Sequence, residues 1–68
     1  MNIHKVGDLL HDGIGFGWII EQLYNGKSIV VGYRVEWNDG DVMNHTHAKV
    51  NEFKECLEKL ENAYKFSV

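Results

Sequence analysis

The chain has 68 residues, with ten acidic and seven basic side chains for a formal charge of −3, and 44% of its residues are hydrophobic. A chain of that length makes one domain, residues 1–68, whose core rarely supplies more than about 3–5 kcal/mol, so few large apolar side chains can stand idle. The composition excludes a disordered tail, no apolar stretch approaches the ~20 residues of a membrane-spanning helix, and the lone Cys56 excludes an intramolecular disulfide or a cysteine-based metal site.

The acidity is uneven. Residues 1–47 hold six acids and three bases, whereas 48–68 hold four of each. Binding to nucleic acid through phosphates needs a basic patch, and the first part offers only Lys5, Lys27 and Arg34, far apart in sequence. Nucleic acid is therefore a disfavoured partner. The first ten residues show no sustained apolar segment and no small-residue cleavage site, so cytoplasmic residence without membrane attachment is the expectation.

In chain order, Val6-Gly7-Asp8-Leu9-Leu10 reads as a short strand, within 5–11, that ends in an Asp12-Gly13 turn. A second strand, 14–24, opens with Ile14, Phe16, Trp18 and Ile20 on one parity and Gly13, Gly15 and Gly17 on the other, one bulky face against one bare face. Glycines on one face let a strand coil sharply or accept a close neighbouring backbone. A third strand, 28–37, places Ile29, Val31, Tyr33, Val35 and Trp37 on one side and Val30, Gly32, Arg34 and Glu36 on the other.

A two-residue Asn25-Gly26 turn sets Ile20 opposite Val31, Trp18 opposite Tyr33, Phe16 opposite Val35 and Ile14 opposite Trp37, which brings both bulky faces to the core side. A second two-residue turn at Asp39-Gly40 sets Val42 opposite Trp37 and His45 opposite Arg34. The strand it starts, 41–45, then has only Asn44 and Thr46 left to face the core, so it is expected to peel away from the core after Met43 or Asn44.

From about Ala48 the period becomes helical. Val50, Phe53, Leu57, Leu60 and Tyr64 recur at spacings of three and four, and Glu55 with Lys59 and Glu61 with Lys65 stand at favourable i,i+4 spacing. The helix, 48–64, has Thr46 or Asn51 as its candidate cap. Its stripe is expected to dock on a small barrel formed by the strands; a dimer seam through 50–64 is the weaker alternative to a monomer, because about two heptads make a marginal coiled coil.

The order Val6-Gly7-Asp8-Leu9, Gly13-Ile14-Gly15, Gly17-Trp18-Ile19-Ile20-Glu21 and Tyr33-Arg34-Val35-Glu36-Trp37-Asn38-Asp39-Gly40-Asp41 resembles the small SH3-like barrels of the Tudor and KOW type, closest to short barrel proteins of bacteriophages and bacteria. It covers residues 5–47. The resemblance implies a mainly β fold, a small antiparallel SH3-like (Tudor-like) barrel followed by the C-terminal helix. It also implies a binding module rather than an enzyme, one that engages a protein, host-derived in the phage case. Tudor-like modules bind through aromatic and acidic residues at the barrel mouth, which here are Phe16, Trp18, Trp37, Asp39 and Asp41. A KOW-like reading implies association with nucleic acid or its machinery as the alternative.

The other motifs have bland readings. Gly13-x-Gly15-x-Gly17 lacks the spacing of a phosphate loop and opens a strand rather than a helix. His45-x-His47, with His4 or His11, makes a weak case for a metal against ordinary surface histidines, and no metal or cofactor is expected. Glu36, Asp39 and Asp41 flank a turn, where such side chains serve the backbone. The candidate nucleophiles Ser28, Thr46, Cys56 and Ser67 have no local catalytic signature, and Cys56 reads as a small, partly buried helix residue.

Overall fold

A computed structural model of the chain describes residues 3–66 and contains β1 (Leu9–His11), β2 (Phe16–Tyr24), β3 (Val30–Trp37), β4 (Val42–Thr46) and α1 (His47–Phe66). The strands form one antiparallel sheet in the order β1-β2-β3-β4. The four-strand meander and the C-terminal helix agree with the pattern in the sequence. Closure does not: β1 and β4 are the two edges and no pairing joins them among the described residues, so the sheet is open rather than a barrel. After β4 the chain enters the helix at once, and no further strand among the described residues bridges the edges.

The register also differs, and both turns explain it. Neither hairpin uses a two-residue loop. In the first, Asn25 N–H donates to Ile29 C=O at 2.9 Å and Ser28 N–H to Asn25 C=O at 3.0 Å, with Ser28 at φ 60°, which makes a three-residue loop closed by a left-handed residue. Asn25 Oδ1 holds it by accepting from the N–H groups of Lys27 and Ile29. In the second, Trp37 N–H donates to Asp41 C=O and Gly40 N–H to Trp37 C=O, with Gly40 at φ 94°. The longer loops shift the pairing of β2 up to Ile19, and that of β4, by an odd number, which exchanges the faces there.

Gly17 now lies opposite Trp37 and Ile19 opposite Val35, while Trp18 faces Glu36; β4 places Met43 opposite Val35 and His45 opposite Tyr33. The glycine face of β2, not its bulky face, meets the core. A Cβ at Gly17 would stand 2.6 Å from Trp37 Cε3, so the bare strand is what makes room for the indole. Ile14, expected inside, is 96% exposed. A bulge between Ile19 and Glu21 then returns Gln22 to the core side, opposite Tyr33.

Two further expectations change. Lys5–Asp8 is a turn rather than strand, closed by Asp8 N–H to Lys5 C=O at 3.0 Å. β4 does not peel from the core after Asn44, since His45 packs on Trp37 and Phe53; Thr46 ends the strand, and its Oγ1 accepts from Lys49 N–H at 3.2 Å and caps α1, an extended residue at a strand end already having the backbone shape of an N-cap. The buried core is Leu10, Ile19, Tyr33, Val35, Trp37 and Val50, with Phe53 and Val30 against it. Val50 is fully buried and Tyr64 is 70% exposed, so the helical stripe docks at its N-terminal end and runs out over solvent. Among the described residues the ion pairs that involve the helix are Lys54 with Asp8 and Lys49 with Glu52, rather than Glu55 with Lys59 or Glu61 with Lys65. No helix is long and apolar enough to cross a membrane among the described residues.

Candidate binding site

The β1–β2 turn, the β3–β4 turn and the first turns of α1 meet around an open depression of about 220 Å³. Its acidic rim comes from turn chemistry. Asp12 Oδ1 accepts from the N–H groups of Ile14 and Gly15 at 2.9 and 2.7 Å, and Asp39 Oδ1 accepts from Asp41 N–H at 2.9 Å. The two backbone donors, Gly15 first, hold the Asp12 carboxyl below its usual range, so it remains an anion at any ordinary pH. Asp41 completes the rim.

The lower wall is Trp37, Met43, His45 and Phe53. Trp37, His45 and Phe53 form a mutual edge-to-face cluster with ring centroids 5.0–5.9 Å apart. Burial, then the charge of Lys49, pushes the His45 pKa down, and its Nε2 is buried with no hydrogen-bond partner. The imidazole is therefore neutral at pH 7 and adds no cation to the rim. Lys49 Nζ stands 5.5 Å from the Phe53 ring centroid, an internal cation–π contact that already occupies one aromatic face.

Of the residues expected at the mouth, Trp37, Asp39 and Asp41 come together here; Phe16 and Trp18 do not. The exchanged register puts the latter pair on the opposite face of the sheet, where Phe16 packs on the His11 ring at 4.7 Å and Trp18 Nε1–H donates to the Glu36 carboxylate at 3.1 Å. Trp37 itself is only 7% exposed and has Gly17 against its ring, so it offers little aromatic surface. Sequence reasoning missed Asp12, Met43 and Phe53. Phe53 was visible in the helical stripe, whereas Met43 and Asp12 reach the site only through the register and the meeting of two turns.

His45 and His47 belong to separate clusters. His4 N–H donates to the Tyr33 hydroxyl at 3.0 Å, and that hydroxyl lies 2.9 Å from His47 Nδ1. His4 Nε2 meets Asn51 Oδ1 at 2.6 Å, and the His4 and His47 rings stack at 5.1 Å. The network ties the N-terminal segment and α1 to the one buried tyrosine. Among the described residues no three His, Cys, Asp or Glu side chains form a group suited to a metal ion. Cys56, half-buried on the helix, has its Sγ 3.4 Å from His11 Nδ1; Ser67 lies outside the described residues. No protein family, curated protein or solved structure matches the chain.

Proposed function

We propose that this chain is a small, non-enzymatic protein-binding module, and that the acidic depression takes a cationic side chain of its partner. The carrying observation is the convergence of Asp12, Asp39 and Asp41 on an open depression walled by Met43 and Phe53. Carboxylates at such a rim attract an ammonium or guanidinium, and the apolar wall receives its methylene stem. Charge does more of the attraction here than an aromatic cage, since Trp37 is almost fully buried and Lys49 already stands over Phe53.

The Tudor-like strand pattern supports the same reading, because such modules bind through aromatic and acidic residues at strand-connecting loops, and Trp37, Asp39 and Asp41 lie in or beside one such loop. A phosphate-binding reading draws less support. Arg34 is paired with Glu21 at 3.2 Å, Lys54 with Asp8 and Lys49 with Glu52.

The test is an NMR titration of isotope-labelled protein with capped arginine and lysine amides. Shifts are expected at Asp39–Met43 and Phe53, weakened by salt and by the pair Asp39→Asn with Asp41→Asn, which keeps the turn-forming oxygens. Absence of those shifts, or identical titrations by wild type and variant, would sink the reading.

A further inference from the structure

The depression continues along a free sheet edge. Among the described residues β4 pairs with β3 on one side only. Its register runs from Glu36 opposite Val42 to Gly32 opposite Thr46 without a bulge, and its residues Val42-Met43-Asn44-His45-Thr46 include neither lysine nor proline. Bulges, lysines and prolines are the devices that protect sheet edges, and β4 has none of them. The other edge, β1, is three residues long and is held beside the helix by the Lys54–Asp8 and Cys56–His11 contacts.

The phase of the ladder determines what β4 offers. Trp37 N–H donates to Asp41 C=O at 2.8 Å. Antiparallel pairs alternate between bonded and non-bonded, so the backbone groups of Met43 and His45 point to β3, and those of Val42 and Asn44 point outward. No backbone hydrogen bond outside the β3 ladder engages Val42 or Asn44 among the described residues. The side chains divide the other way: Asp41, Met43 and His45 line the depression, and Val42 and Asn44 stand on the opposite face. A strand added against Val42 and Asn44 must therefore direct every second side chain beside Asp41, Met43 and His45, over the acidic rim, and the intervening ones beside half-exposed Val42.

We infer that the β4 edge and the depression form one recognition surface for an extended peptide segment of a partner protein, in which basic residues alternate with apolar ones. The inference rests on the depression being a cation site. The alternating basic residues meet Asp12, Asp39 and Asp41, the apolar ones meet Val42, and the partner backbone bonds to Val42 and Asn44.

The test uses the full chain and a capped heptapeptide of alternating valine and arginine, followed by amide chemical shifts. Shifts should cover Val42–Thr46 as well as the depression. In this pairing the valine N–H groups face β4, so N-methylating the valines alone should weaken binding by roughly tenfold or more through two lost hydrogen bonds. A valine–glutamate peptide should not bind. Asn44→Pro removes an outward N–H and no ladder bond, and should weaken the peptide while leaving capped arginine unaffected. Equal binding by the N-methylated peptide overturns the strand addition and leaves the cation site standing, whereas silence from both peptide and capped arginine overturns both. A dimer detected by light scattering without peptide and abolished by Asn44→Pro would assign the edge to a second copy, against the inference.

Discussion

Three residues carry consequences that depend on single atoms. Gly17 lies where a Cβ would meet Trp37 Cε3 at 2.6 Å and Glu36 O at 3.0 Å, and neither the buried indole nor the backbone can yield cheaply. Gly17→Ala should lower unfolding free energy in urea by about 1–3 kcal/mol; an unchanged midpoint would mean that Trp37 moves freely. Ser28 holds φ 60° without being glycine, while Gly26, in the same loop, has no positive φ. Ser28→Gly should raise stability by about 1 kcal/mol, read from the same denaturation, by relieving the left-handed strain. His45 has its folded pKa below the ordinary value of 6.5, because burial disfavours the imidazolium and Lys49 repels it. The unfolded chain takes that proton first, so stability should fall as pH drops from just above 6.5 toward the lower folded value. Unfolding measured across that window should be flatter in His45→Gln, and equal slopes would refute the assignment. Asp8 and Asp12 act lower, their contribution being present above the ordinary 3.8 and lost as pH falls through their depressed values.

At the scale of elements, the junction of β4 and α1 has no loop. Thr46 ends the strand and its hydroxyl satisfies one of the N–H groups that open the helix. The first turn of α1 contains no acidic residue to favour the helix dipole, so the cap has more to do. Thr46→Ala should cost about 1 kcal/mol, with faster hydrogen exchange concentrated in the first turns of α1; a loss spread evenly over the sheet would show that Thr46 acts otherwise. The helical stripe was legible as a period, but how much of it docks was not. Val50 meets the core, Phe53 joins Trp37 and His45, and Tyr64 is 70% exposed.

At the scale of the molecule, one sheet face is covered by α1 and the other is open, where Leu9, Phe16, Ile20 and Val42 stand partly exposed. Among the described residues the buried apolar core comprises six, from β1, β2, β3 and α1, so those elements depend on a few side chains. Leu10 is fully buried on the shortest strand, next to Gly17. Leu10→Ala should cost about 2–5 kcal/mol, comparable with all that a core of this size supplies, and should leave much of the chain unfolded at 25 °C by circular dichroism. A variant that keeps a sharp thermal transition near that of wild type would show the core to be larger than these six residues.

The number and order of strands, the placement of turns at Asp12-Gly13, around Asn25 and at Asp39-Gly40, and the period of the helix follow from local chemistry, and local chemistry was enough to place them. Which face of β2 turns inward did not follow. Asn-Gly and Asp-Gly suit both two-residue and three-residue loops, and the difference of an odd number of residues reverses every side chain. What decided it was the Trp37 indole, which needs the bare glycine face opposite it, a demand that exists only once β2, β3 and the helix are assembled. The same reversal separated Phe16 and Trp18 from Trp37, Asp39 and Asp41, and brought Asp12, Met43 and Phe53 to the depression. Alternation along a strand is written in the sequence; which of its two faces is buried is a property of the packed whole.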